Sequence, residues 1–180
     1  MDKHEIRLSG SGGQGLLLAG IILAEAAIID GKNAVQTQSY GPEARGGASK
    51  SEVLISDEVI DFPKVRNCDV LLSLTQKSYE QYNHGIKDDG ILILDSSVLV
   101  DAGVKNRIIS IPIVETAVKV LGKPMVTNIV AIGAVVEITK IVSQEALETA
   151  VLKRVPKGTE ELNKRALSLG YEIAKQSITK

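Results

Sequence analysis

The stretch Gly10-Ser11-Gly12-Gly13-Gln14-Gly15 stands directly after the short apolar run Ile6–Leu8 and directly before the apolar segment Leu16–Ile29. The order reads as strand, glycine turn, helix, the context in which a glycine fingerprint carries physical meaning. Glycines permit a tight turn and close backbone approach, and a helix start presents unpaired N–H groups and a positive dipole end to an anion. Three readings of the turn follow: a plain connection, a nicotinamide or flavin fingerprint, or a cradle for a phosphate-bearing ligand or a partner's acidic group. The dinucleotide reading needs an acidic residue ending the second strand to hold a ribose. That strand offers Gln36, Gln38 and Ser39 instead, with Asp30 before it on the far side.

Working outward, Glu5–Ser9 reads as the first strand, Leu16–Ile29 as a helix with Gly31 placed to cap it, and Ala34–Ser39 as the second strand. A second glycine loop follows, Tyr40-Gly41-Pro42-Glu43-Ala44-Arg45-Gly46-Gly47, where a regular dinucleotide fold would place a crossover helix. Ser51–Ile55 and Val59–Phe62 flank Ser56-Asp57-Glu58 in the manner of a β-hairpin. Asp69–Leu74 and Ile91–Leu94 are short apolar runs suited to buried parallel strands, with Gln76–Asn83 as a crossover helix between them and Arg107–Ile111 as a further strand. From Val114 the character turns helical. Val126–Val142 is apolar nearly all round, while Gln144–Arg154 and Thr159–Gln176 are amphipathic and separated by Pro156-Lys157-Gly158.

This pattern predicts an α/β fold: a three-layer, Rossmann-like, mostly parallel sheet with a β-hairpin insertion and a helical C-terminal part. One domain over residues 1–180 is expected, with the sheet core in 1–112 and the helical part in 113–180. Ligands of such sheets bind beyond the carboxyl ends of the strands. The first glycine loop, Ser39-Tyr40, Thr75-Gln76 and Asp95-Ser96-Ser97 should therefore converge on one crevice.

Composition removes several classes of function. A net charge of −1 gives no electrostatic reason to expect nucleic acid or an anionic membrane surface, and 3% aromatics without tryptophan leave no base-stacking platform. Cys68 is the single cysteine, whereas a cysteine-ligated iron–sulfur cluster needs about four thiolates. With only His4 and His84 besides, no metal site is expected. Leu16–Ile29 and Val126–Val142 both fall short of the roughly 20 apolar residues a membrane span requires. The polar start Met1-Asp2-Lys3-His4-Glu5 does not read as a signal peptide, so a cytoplasmic protein is expected.

A helix terminus contributes about 0.3–1 kcal/mol to a bound anion, against the roughly 8 kcal/mol of micromolar affinity. The turn alone therefore holds no ligand at that strength. Arg45, with its fixed fork of donors, is the nearest cation to complete such a site, its alternative being an ion pair with Glu43 or another carboxylate. Cys68, before a buried strand, reads as a packed thiol, and no residue reads as a lone catalyst. The helix Leu16–Ile29 has one charged side chain, Glu25, and Gly20 permits close packing. A helix without a polar stripe is buried all round, which points to cover from the C-terminal helices together with another subunit.

The two glycine loops at this spacing, together with Thr127-Asn128-Ile129-Val130-Ala131-Ile132-Gly133, resemble the gamma subunit of 2-oxoacid:ferredoxin oxidoreductases of the 2-oxoglutarate, branched-chain 2-oxoacid or pyruvate type. The resemblance covers most of the chain. It implies a component of a complex that oxidatively decarboxylates a 2-oxoacid with coenzyme A, giving acyl-CoA, CO2 and reduced ferredoxin. Thiamine diphosphate and iron–sulfur clusters would sit in the partners, alpha and beta chains with or without a ferredoxin-like delta chain, and this chain would be inactive alone. Gly12, Gly13, Gln14 and Gly15 match the first loop, and Tyr40, Gly41, Pro42, Glu43, Arg45, Gly46 and Gly47 the second. These residues would face the active-site region and position either coenzyme A or a partner subunit. Two other readings remain at this point: a stand-alone dinucleotide-binding oxidoreductase, and a nonenzymatic module that senses a nucleotide or coenzyme A.

Overall fold

The computed structural model describes residues 3–39 and 47–179. Six strands, β1 (Lys3–Ser11), β2 (Asn33–Gln38), β3 (Ala48–Ser56), β4 (Cys68–Ser73), β5 (Ile86–Asp95) and β6 (Arg107–Ile111), form one sheet in the order β2-β3-β1-β4-β5-β6. The run β1-β4-β5-β6 is parallel, and β3 lies antiparallel to both β1 and β2. The helices are α1 (Leu16–Ile29), α2 (Gln76–Tyr82), the short α3 (Ile113–Glu115), α4 (Thr127–Thr139), α5 (Gln144–Arg154) and α6 (Glu160–Ile178). A π-helical turn, Thr116–Val120, follows α3.

Successive residues of a strand point to opposite faces, and two cores result. Ile6, Leu8, Val53, Ile55, Val70, Leu72, Ile93 and Ile109 pack with α1, α4, α5 and α6. Leu54, Leu71, Leu92 and Leu94 pack on the other face with Tyr79 and Tyr82 of α2. The expected layered α/β architecture is therefore present, as a mixed sheet with helices on both sides.

One part of the expectation is corrected. Val59–Phe62 forms no strand, so the hairpin with Ser51–Ile55 does not exist. The reason is that β3 spends both of its edges: Ser56 pairs with Lys3 on one side and Asn33 on the other, and the register runs on to Ser51 opposite Leu8 and Gln38. No edge is left for a third partner. The antiparallel neighbours in sequence are instead β2 and β3. Val59 is exposed, and Phe62 stacks on the Arg66 guanidinium at 4.6 Å.

The chain itself supplies most of the cover for α1. Leu16, Ala19, Gly20, Ile22, Leu23, Ala24, Ala26 and Ala27 are buried between the sheet and α4 and α5, while Leu17, Ile28 and Ile29 stay exposed. Gly20 lies against Ser51 and Gln36, so the helix sits directly on β2 and β3. Arg154 of α5 donates from Nε to both Glu25 carboxylate oxygens, at 3.0 and 3.1 Å. Asp30 at the end of α1 accepts from the Ser143 amide at 2.6 Å and its hydroxyl at 2.7 Å.

The helical layer closes through a backbone contact. A Cβ on Gly133 of α4 would lie 2.9 Å from the Leu167 carbonyl oxygen of α6. α4 then ends at Lys140, the one non-glycine residue of positive φ (53°) among those described, whose ammonium reaches Glu137 at 2.6 Å. Glu137 is buried and also accepts from Gln144 Nε2 at 2.6 Å.

Two outcomes follow from this packing. Gly133→Ala forces α4 and α6 apart and should lower stability by about 1–3 kcal/mol in urea unfolding, the usual magnitude of overpacking. The guanidinium of Arg154, hydrogen-bonded to Glu25, holds the Glu25 carboxyl below the usual carboxylate range. A carboxylate with a lowered folded pKa contributes stability above its unfolded pKa and loses it as pH falls through the folded value. Wild type should therefore lose more stability than Glu25→Gln between neutral pH and roughly pH 3, read from melting curves at both.

Candidate functional site

The parallel strands bring their carboxyl ends to one edge of the sheet. Ser11 pairs with Ala48, so the first glycine turn stands beside the start of β3 and Gly47. Within the turn the Gln14 side-chain oxygen accepts from the Ser11 amide at 2.7 Å, which folds the turn on itself, and Gly12 and Gly13 are exposed. Gly15 caps α1 in the left-handed conformation, with φ 73° and no side chain to satisfy the first helical N–H groups. Among the described residues no side chain caps those amides, an arrangement that favours an anion.

The carbonyl of Gly15 is held from the far end of the sequence. Asn128, in the first turn of α4 and 4% exposed, donates from Nδ2 to Gly15 O at 3.1 Å and accepts the Ile129 amide at 2.9 Å. A Cβ on Gly15 would lie 2.6 Å from that Nδ2. Position 15 is thus closed to side chains by backbone conformation and by contact alike. Beside Asn128 lies a mostly apolar cavity of about 220 Å³, walled by Leu18, Met125, Val126, Ile129 and Leu162. Asn128 had no assigned role in the sequence reading. The sequence shows only an amide at the start of a largely apolar helix, which does not name its partner 113 residues away.

Of the other expected segments, Thr75-Gln76 and Asp95-Ser96-Ser97 follow β4 and β5 at the same edge, yet much of their polar chemistry is spent on neighbouring backbone and side chains. Asp95, 2% exposed, accepts from the Ser97 amide and hydroxyl at 3.0 and 2.6 Å and from the Val114 amide at 2.8 Å. It locks the segment after β5 to the one after β6. Gln76 exchanges two hydrogen bonds with the backbone of Leu99, at 2.7 and 3.1 Å. Thr75 forms a capping box with Ser78 at the start of α2. These bonds hold that edge of the sheet together. Of the expected site residues, Gly12, Gly13, Gln14, Gly15 and Gly47 belong to this edge, whereas Tyr40, Gly41, Pro42, Glu43, Arg45 and Gly46 lie outside the described residues.

Asp30, the nearest acid to the usual ribose position, is committed to Ser143, and Gln36 donates to Ser51 Oγ at 3.0 Å under α1. Neither is placed to hold a ribose. Cys68 is buried, its thiol donates to Gly85 O at 3.3 Å, and burial pushes its pKa up to about 11. A protonated, enclosed thiol without a second cysteine does not fit a cysteine-ligated cluster. Among the described residues no helix is long and apolar enough to cross a membrane.

The chain is an α/β domain whose first helix starts, without a side-chain cap, at the carboxyl edge of a mixed six-stranded sheet. Residues 5–173 match the model of the pyruvate ferredoxin/flavodoxin oxidoreductase family, and the chain belongs to that family. It is 52% identical over 178 residues to 2-oxoglutarate synthase subunit KorC of Methanocaldococcus jannaschii, covering 97% of this chain and 95% of that one. The gamma subunit of a keto/oxoacid ferredoxin oxidoreductase from Geobacter sulfurreducens superposes with a TM-score of 0.90 at 49% identity, over 98% of this chain and 99% of that one. The same fold recurs, with a TM-score of 0.88 at 23% identity, in a 2-oxoglutarate:ferredoxin oxidoreductase from Magnetococcus marinus solved with 2-oxoglutarate, coenzyme A and succinyl-CoA bound. This chain covers 32% of that longer one. The gamma-subunit resemblance read from the two glycine loops therefore holds, and the protein falls in an oxidoreductase class as a subunit.

Asn128→Ala should lower stability by about 1 kcal/mol through the lost hydrogen bond and speed amide exchange across residues 12–18. Asn128→Asp keeps the shape but sets an acceptor against the Gly15 carbonyl, so its effect on both measurements should be larger.

Proposed function

We propose that this chain is the gamma subunit of a cytoplasmic 2-oxoacid:ferredoxin oxidoreductase acting on 2-oxoglutarate. The observation that carries the reading is the 52% identity, over nearly the whole of both chains, to a 2-oxoglutarate synthase subunit. We read the chain as one gamma-type domain, because the core on the α1 face joins the strands to α4, α5 and α6 without a break.

In the assembled enzyme the 2-oxoacid loses CO2, its acyl group passes to the thiol of coenzyme A, and the electrons released reduce ferredoxin. Thiamine diphosphate and iron–sulfur clusters on alpha, beta and ferredoxin-like chains supply the carbanion and electron-transfer chemistry. This chain contributes contacts and position. The α1 amides and the positive dipole end face outward from the glycine turn, and Asn128 fixes the carbonyl behind them. Such a terminus suits a phosphate of coenzyme A, with Arg45 as the cation that brings the site to useful strength. The exposed Leu17 and Met125, beside the same turn, extend the edge as an apolar contact surface for a partner chain.

The isolated chain should show no 2-oxoglutarate oxidation, and co-expression with its alpha, beta and ferredoxin-like partners should restore it. Turnover by the chain alone would overturn the assignment. In the reconstituted complex Arg45→Ala should raise the KM for coenzyme A about tenfold or more while assembly is retained. Failed assembly with unchanged coenzyme A dependence would make Arg45 an interface residue instead.

A further inference from the structure

At the opposite, amino end of β5 lies a second cleft of about 340 Å³, between α2 with the following turn Asn83–Gly85 and the turn at residues 101–106. Its walls include Tyr79, Asn83, Asp88, Leu92, Asp101 and Lys105. Two buried side-chain oxygens on this side of the sheet, Tyr79 Oη and Asn83 Oδ1, have no hydrogen-bond partner among the described residues, and both residues wall this cleft. Tyr79 is fully buried. Leaving such oxygens unpaired is unfavourable, and native proteins seldom do so without a purpose.

Asn83 Oδ1 calls for a donor, and Tyr79 Oη can accept a hydrogen bond as well as donate one. An amide oxygen only accepts, and so do carboxylates. Asp88 and Asp101 are exposed at the rim, and their carboxylates have no ion pair among the described residues. Lys87, the nearest lysine in sequence to Asp88, is committed to Asp69 at 2.7 Å. The amide nitrogen of Asn106 is spent on the carbonyls of Lys87 and Gly90, at 2.8 and 3.1 Å, which pins the turn to β5. The lining thus offers two carboxylates beside Lys105 and the imidazole of His84, and the wall below adds an acceptor, a hydroxyl and the apolar Leu92.

We propose that this cleft binds a primary alkylammonium group, its N–H donors meeting Asn83 Oδ1, Tyr79 Oη and a rim carboxylate while its methylenes lie on Leu92. The two oxygens are closed to solvent, so binding includes rotation of the half-buried Asn83 side chain, a fast motion for a residue in a short turn. The site faces away from the glycine turn and is independent of the function proposed above.

The test is a titration of the full-length, isotope-labelled chain with 1,5-diaminopentane, followed through amide shifts of residues 79–84 and 101–106, with sodium acetate and 1-butanol as controls. Saturable shifts with the diamine alone are expected. Tyr79→Phe, which removes only the hydroxyl, and Asp101→Asn should each weaken binding about fivefold or more. Tyr79→Phe should also melt no lower than wild type without ligand, and the diamine should raise the melting temperature of wild type more than that of the variant. Absence of saturation, an equal response to acetate, or unchanged affinity in both variants would overturn the proposal and leave the oxygens to water. Repeating the titration on the co-expressed complex distinguishes two sources of the same group: retained binding assigns a free amine, and lost binding a lysine of a neighbouring subunit.

Discussion

The carbonyl of Gly15 is where the two ends of this chain meet. It accepts the Ala19 amide of its own helix and the Asn128 side chain of α4, so one oxygen fixes both the start of α1 and the position of the helical layer above it. Because Asn128 occupies the space where a Cβ would stand, residue 15 has to be glycine. Because residue 15 is glycine, the helix start has no side-chain cap and its amides stay available. An interaction that serves folding thereby leaves a polar opening at the carboxyl edge.

Much of this was legible in the sequence wherever a local pattern was strong. The limits of α1, α5 and β6 coincide with the apolar and amphipathic runs, and the buried strands β4 and β5 follow their β-branched and leucine residues. The hairpin was misread because strand propensity does not state which edges are free, and β3 is claimed on both sides by strands distant in sequence. The edge that carries the glycine turn was legible, since strand ends in a parallel run must share it. Asn128 was not, because a bond spanning 113 residues leaves no trace in local spacing. The pair of buried Arg7 and half-buried Glu52, joined at 2.8 Å beside Tyr82, escaped for the same reason.

The division of labour in the assembly proposed above fits what the side chains of this chain are already doing. Asp30, Asp95, Gln76 and Thr75 look like candidate ligands by residue type, yet each is bound to backbone or to a neighbouring side chain across a loop junction. At the described part of the sheet edge these side chains are spent on holding neighbouring segments together, and the start of α1 is left without a side-chain cap. In the function proposed above such a chain orients and neutralises, while proton and electron transfer belong to its partners.

Lys140 carries a consequence for how this sequence can change. Its left-handed backbone is unfavourable by about 1–2 kcal/mol for a residue with a Cβ, and glycine would relieve it. Glycine there would also remove the ammonium that faces the enclosed Glu137 carboxylate. The relief of the backbone and the loss of that ion pair oppose one another, and Gln144 still donates to Glu137 when the lysine is gone. The two positions are therefore coupled: the gain from glycine at 140 is larger once residue 137 carries no charge.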